Sequence, residues 1–92
     1  MTYRIGRTDG PDGTVFGVSG EMDAEHALRL EILIEEVEGA VFLDLKDVTL
    51  VARDAVRFLA RMEAGGIGIV NCPEYVRSWI AAEKRVRSGS PG

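Results

Sequence analysis

The segment that most restricts the fold is Ala40-Val41-Phe42-Leu43-Asp44-Leu45, which is nearly continuous in apolar residues. A run of this kind suits an interior strand covered on both faces. On either side lie stretches whose apolar residues recur at steps of three or four. Ala27, Leu30, Ile34 and Val37 form such a stripe within residues 24–38, and Ala55, Val56, Leu59 and Met62 form another within 52–63. A strand between two amphipathic helices implies parallel pairing through right-handed crossovers.

The flanking signals complete the order of elements. Residues 2–8 alternate loosely, with Tyr3 and Ile5 on one face, and read as a short, partly exposed strand. Asp9-Gly10-Pro11-Asp12-Gly13 is dense in turn formers, and Thr14–Ser19 is β-rich, so the two strands should form an antiparallel hairpin. Gly20-Glu21-Met22 then leads to Asp23, a natural N-cap. Glu31, Glu35, Glu36 and Glu38 fall on the water side of the first helix, and Gly39 sits at its exit. Asp47 should open a loop running through Thr49, and Gly65-Gly66 should stop the second helix. Ile67–Val70 reads as a short last strand. Pro73 suits a first helical turn, and Tyr75, Val76, Trp79 and Ile80 form the expected inward stripe of a third helix. The expected fold is α/β, a small mixed sheet with an antiparallel first strand and parallel strands after it, in the order β-β-α-β-α-β-α. Residues 1–86 make one domain, and 87–92 have the composition of a flexible tail.

Composition narrows function more than it names it. The 92 residues are 46% hydrophobic and 28% charged, an ordinary globular balance. A formal net charge of −4 disfavours nucleic acid as a partner. With one cysteine, Cys72, and one histidine, His26, neither an internal disulfide nor a zinc cage is expected. No stretch of 18 apolar residues and no signal-peptide run occurs, so a cytoplasmic protein without a membrane role is the expectation. Enzyme chemistry has few supports. His26 reads as a surface or helix-start residue, since spacing fixes no partner carboxylate. Cys72 precedes a helix N-terminus, which can lower a thiol pKa, but a lone cysteine at a strand end is usually a small buried hydrophobe. Glycines 6, 10, 13, 17 and 20 are scattered and make no phosphate loop. Arg53, Arg57, Arg61, Lys84, Arg85 and Arg87 read first as solvated helix charges. The expectation is a non-enzyme with no metal and no cofactor.

Three stretches carry a family likeness. Gly20-Glu21-Met22-Asp23 closes a strand ahead of a helix. Val41-Phe42-Leu43-Asp44-Leu45-Lys46-Asp47-Val48-Thr49-Leu50-Val51 runs directly into the next helix, and Ile69-Val70-Asn71-Cys72-Pro73-Glu74-Tyr75-Val76 follows later. In this order and spacing they resemble the STAS domain, the fold of bacterial anti-sigma factor antagonists. The resemblance covers about residues 3–82. It implies a binding module whose partner is an anti-sigma factor with a serine kinase-like fold, and whose affinity is switched by phosphorylation of a serine opening the second helix.

The family's Asp-Ser-Ser-Gly falls on Ala52-Arg53-Asp54-Ala55, and the acceptor serine falls on Asp54. Asp54 has no hydroxyl to phosphorylate. Its fixed charge of −1 is a partial mimic of a phosphoserine, which carries about −1.5 to −2. The resemblance thus marks Glu21, Asp23, Arg53, Asp54 and Arg57 as a partner-binding set, with Thr49 the nearest hydroxyl for a displaced phosphorylation. Asp23 and Asp54 are also explained as ordinary residues of helix starts. The second helix is about one turn shorter than is usual in the family. A homodimer through a sheet edge or helix face is compatible with the sequence. The resemblance further implies that Asp23 and Asp54 lie together at one acidic edge, and the alternative function is a small-ligand sensor binding a nucleotide or lipid at that edge.

Overall fold

The structure, a computed structural model, describes residues 3–88. Strands β1 (Tyr3–Gly10) and β2 (Gly13–Met22) lead to helix α1 (Ala24–Glu35), then β3 (Val41–Val51), α2 (Arg53–Ala64), β4 (Gly68–Val70) and α3 (Glu74–Ser88). One sheet has the order β1-β2-β3-β4, with β1 antiparallel to β2 and the remaining pairs parallel. This is the expected α/β architecture. Of the expected tail 87–92, Arg87 and Ser88 belong to α3, and residues 89–92 lie outside the described residues.

The hairpin closes over Pro11-Asp12, with Gly10 opposite Gly13. Gly13 has φ +143°, and a Cβ there would stand 2.6 Å from the Ala40 carbonyl oxygen. That same oxygen accepts the Thr14 N–H at 3.0 Å, tying the hairpin to the entrance of β3. Only glycine combines this backbone angle with so close an approach.

A sheet whose strands follow in chain order, joined by right-handed crossovers, carries both crossover helices on one face. α1 packs beside α2 and α3 beside α2, forming a single helical layer. Beneath it lie Phe16 and Val18 of β2 and Leu43 and Leu45 of β3, all at most 2% exposed. Leu30, Phe58, Leu59, Val76 and Ile80 close the core from the helices. Phe58 was missing from the inward stripe read in the sequence.

Several expectations are corrected. β3 is covered on one face only: Val41, Leu43 and Leu45 are buried, while Phe42 and Asp44 between them are half-buried. Phe42 owes its cover to the opposite residue, Gly68, whose missing side chain leaves room for the ring. Asp47–Thr49 is not a loop. β3 continues to Val51 through two irregularities, where its register against β2 slips between Gly17/Ser19 and again between Gly20/Glu21. Each slip inserts a residue and resets the alternation. The buried positions after Leu45 are therefore Val48 and Val51, spaced by three. Gly20-Glu21-Met22 belongs to β2 rather than to a lead-in, with Met22 1% exposed. α1 ends at Glu35, short of the expected residue 38. Tyr75 and Trp79 do not face the core. They are 41% and 46% exposed and meet edge to face at 5.6 Å on the outside of α3.

Candidate functional site

The site forms where β2 and β3 end side by side. Met22 is opposite Val51, and the Ala52 N–H donates to the Met22 carbonyl at 2.8 Å. That hydrogen bond fixes the start of α2 beside the start of α1, so the two family-like stretches meet at one corner of the molecule.

At the first helix mouth, Asp23 is the N-cap. Its Oδ1 accepts the His26 N–H at 3.0 Å, while the Asp23 N–H donates to His26 Nδ1 at 3.4 Å. This is a capping box with histidine in the position usual for Glu or Gln. His26 is a helix-start residue, one of the two placements expected from the sequence, but at 4% exposed it is not on the surface, its ring being turned inward by its role in the cap. Asp23 spends one oxygen on this cap and keeps its side chain 48% exposed. Glu21 stands exposed at the irregular end of β2.

At the second mouth, Ala52 is the N-cap and supplies no side-chain acceptor. Asp54 lies in the first turn, its side chain 66% exposed, with Arg57 Nη1 3.9 Å away. Arg57 reaches more closely to Glu83 of α3, at 3.3 Å from Nε to Oε1. The Asp54 carboxylate therefore presents a largely open negative charge at the positive end of α2.

Two grooves flank this turn. One, of about 160 Å³, lies between α1 and α2 and is lined by Ala24, Leu28, Glu31, Asp54, Phe58 and Arg61. Arg61 pairs with Glu31 across it at 3.6 Å. The other, of about 390 Å³, lies between α2 and α3 and is lined by Arg53, Val56, Trp79, Ala82 and Glu83. Arg53 and Asp54 thus face different grooves from one turn. Leu28 and Ile32, one turn apart on α1, are 60% and 55% exposed beside the first groove. Sequence reading missed Leu28, Glu31 and Trp79. The signal for Leu28 and Ile32 was present as a second apolar i, i+4 pair off the core stripe.

Thr49 is exposed but sits within β3, not in the loop expected to carry it. Burial pushes the Cys72 thiol up, opposite to what a nucleophile needs, and Cys72 packs against the core. Among the described residues, no three His, Cys, Asp or Glu side chains group to hold a metal. No described helix is long and apolar enough to cross a membrane.

No protein-family model and no curated protein matches the chain. Among solved structures, an uncharacterized protein of the DUF3478 family from Shewanella loihica PV-4, described as having a SpoIIAA-like fold, matches with a TM-score of 0.53. The alignment covers 98% of this chain and 81% of that one at 18% identity. The fold is SpoIIAA-like. At that identity the likeness concerns the backbone arrangement, and it agrees with the anti-sigma factor antagonist-like fold read from the sequence.

Proposed function

We propose that this protein is a non-catalytic interaction module of bacterial signalling, anti-sigma factor antagonist-like, acting in the cytoplasm. Its partner would be an anti-sigma factor of the serine kinase-like type. One observation supports the reading: Asp54 stands open in the first turn of α2, and that turn is anchored beside the Asp23 corner; the sequence resemblance is what would make Asp54 the counterpart of the family's phosphoacceptor. Asp54, Glu21 and Asp23 offer an acidic rim, which favours a partner with basic residues. Leu28 and the α1–α2 groove add the apolar contact that a rim of exposed charges cannot supply alone. Because Asp54 offers a serine kinase no hydroxyl, the module would hold one affinity state toward such a kinase, and regulation would act on the partner or on another residue.

The test is binding of a purified anti-sigma-type serine kinase from the same organism, by calorimetry. Wild type should bind, and Leu28→Glu and Asp54→Arg should each weaken binding by about tenfold or more, the effect of losing an interface anchor. Absence of binding by both wild type and Asp54→Ser would refute the reading.

A second reading rests on the α2–α3 groove. Its volume and its wall of Val56, Trp79 and Ala82 suit an apolar ligand better than a nucleotide. A lipid at about 100 times its dissociation constant should stabilise the fold by about 2.7 kcal/mol in a thermal-shift screen. A flat screen removes this option.

A further inference from the structure

Among the described residues, no helix covers the face of the sheet turned away from the helical layer. β2 to β4 are parallel, and parallel strands are almost always enclosed on both sides. On this open face Gly6 lies opposite Gly17, and Gly17 lies opposite Asp44. One step along, Arg4, Ser19 and Asp47 stand in line across β1, β2 and β3. These residues surround a trough of about 190 Å³, with Lys46 on its rim.

The glycine pair is not explained inside the chain. Neither residue has a positive φ, and no heavy atom lies within 4 Å of a Cβ added at either. Alanine would fit both, and glycine within a strand weakens it. Such a position makes sense where another backbone comes close.

We propose that the open face pairs with the same face of a second copy of this chain. The charges are self-complementary. Arg4 lies on one side of β2 and Asp47 on the other, at the same level, and no ion pair among the described residues engages either. A two-fold axis running along β2 sets β1 of each copy over β3 of the other. Arg4 of each copy then meets Asp47 of the other, and the Gly17 backbones face each other at the axis. A two-fold contact needs this reciprocity, in which residue i meets j and j meets i. In this arrangement β4 of each copy lies beyond β1 of the other, so three facing strands at about 4.8 Å spacing and five residues of about 3.3 Å give a flat footprint on the order of 240 Å² per copy. That is well under the roughly 800 Å² per partner of a standard interface, so the dimer is weak and concentration-dependent. The contact leaves the Asp54 corner free, since that corner lies with the helical layer, and it does not depend on the function proposed above.

The experiment is sedimentation equilibrium over about 10 µM to 1 mM, the range suited to an interface this small. Wild type should shift from monomer to dimer. Arg4→Glu and Asp47→Arg should each raise the dissociation constant by about tenfold or more, through like charges brought face to face, and the double reversal should recover the dimer. Gly17→Val should keep the fold, by circular dichroism and melting, and abolish the dimer. A monomer at every concentration overturns the proposal. So does a dimer indifferent to both the charge reversals and Gly17→Val. If the chain stays monomeric while amide resonances of the open face move on adding the anti-sigma-type kinase, the face belongs to that partner and self-pairing is refuted.

Discussion

Replacing Ala52 by serine should make the protein more stable. The two crossover helices begin at the same corner but are capped unequally. α1 has Asp23, whose carboxylate accepts the N3 amide at 3.0 Å. α2 begins at Ala52, with the extended backbone of an N-cap at φ −74° and ψ 160° but no side chain able to accept. The first-turn amides of Asp54 and Ala55 therefore receive nothing from the cap. Ala52 is exposed, so a hydroxyl there loses no hydration and displaces no neighbour. Serine in place of alanine at an N-cap is worth about 1 kcal/mol, within a range of roughly 0.5–2. For a domain of this size that raises Tm by about 4–8 °C. Urea unfolding should show a higher midpoint at unchanged slope, since the surface exposed on unfolding is the same. Aspartate should add about 0.3–1 kcal/mol more by its charge at the helix start, and only that increment should fade with salt. No gain with serine, or a serine gain that salt erases, would refute the claim that α2 lacks a hydrogen-bonding cap.

Gly13→Ala should destabilise by more than about 1 kcal/mol in urea unfolding, because φ +143° and the Ala40 oxygen 2.6 Å from the new Cβ act together. Glu63 on α2 is held below the ordinary glutamate range by hydrogen bonding to Lys84, reinforced by Arg77, against an opposing effect of burial. The unfolded chain then binds that proton more tightly, so the stability is present above about pH 4.5 and is lost as pH falls through the folded value. Arg77 and Lys84 are 42% and 43% exposed, which limits the effect to under about 1 kcal/mol. Melting curves from pH 6 to about pH 3 should show this acid limb flattened in Glu63→Gln.

Some of the candidate site was legible in advance. Asp23 as a cap and Asp54 in the first turn of α2 follow from local chemistry, because a helix start needs acceptors and tolerates anions wherever it occurs. Helical periodicity also marked Val76 and Ile80. It could not separate them from Tyr75 and Trp79, which recur at the same spacing one position earlier. α3 rests on α2 at the margin of the helical layer, so only the narrower stripe is covered. The place of His26 at a helix start was legible, but nothing near it in sequence reveals that its ring folds back into a cap and is buried.

The order of elements, the antiparallel hairpin and the crossover helices were set by the amino-acid sequence alone, since turn formers, caps and apolar spacing act over a few residues. Tertiary structure decided the length of β3, the open face of the sheet, and the meeting of Asp54 with the Asp23 corner. These depend on register between distant strands. A slip of one residue at Lys46-Asp47 turns what reads as a polar loop into continuing strand, and nothing within the segment itself says where its neighbour will pair.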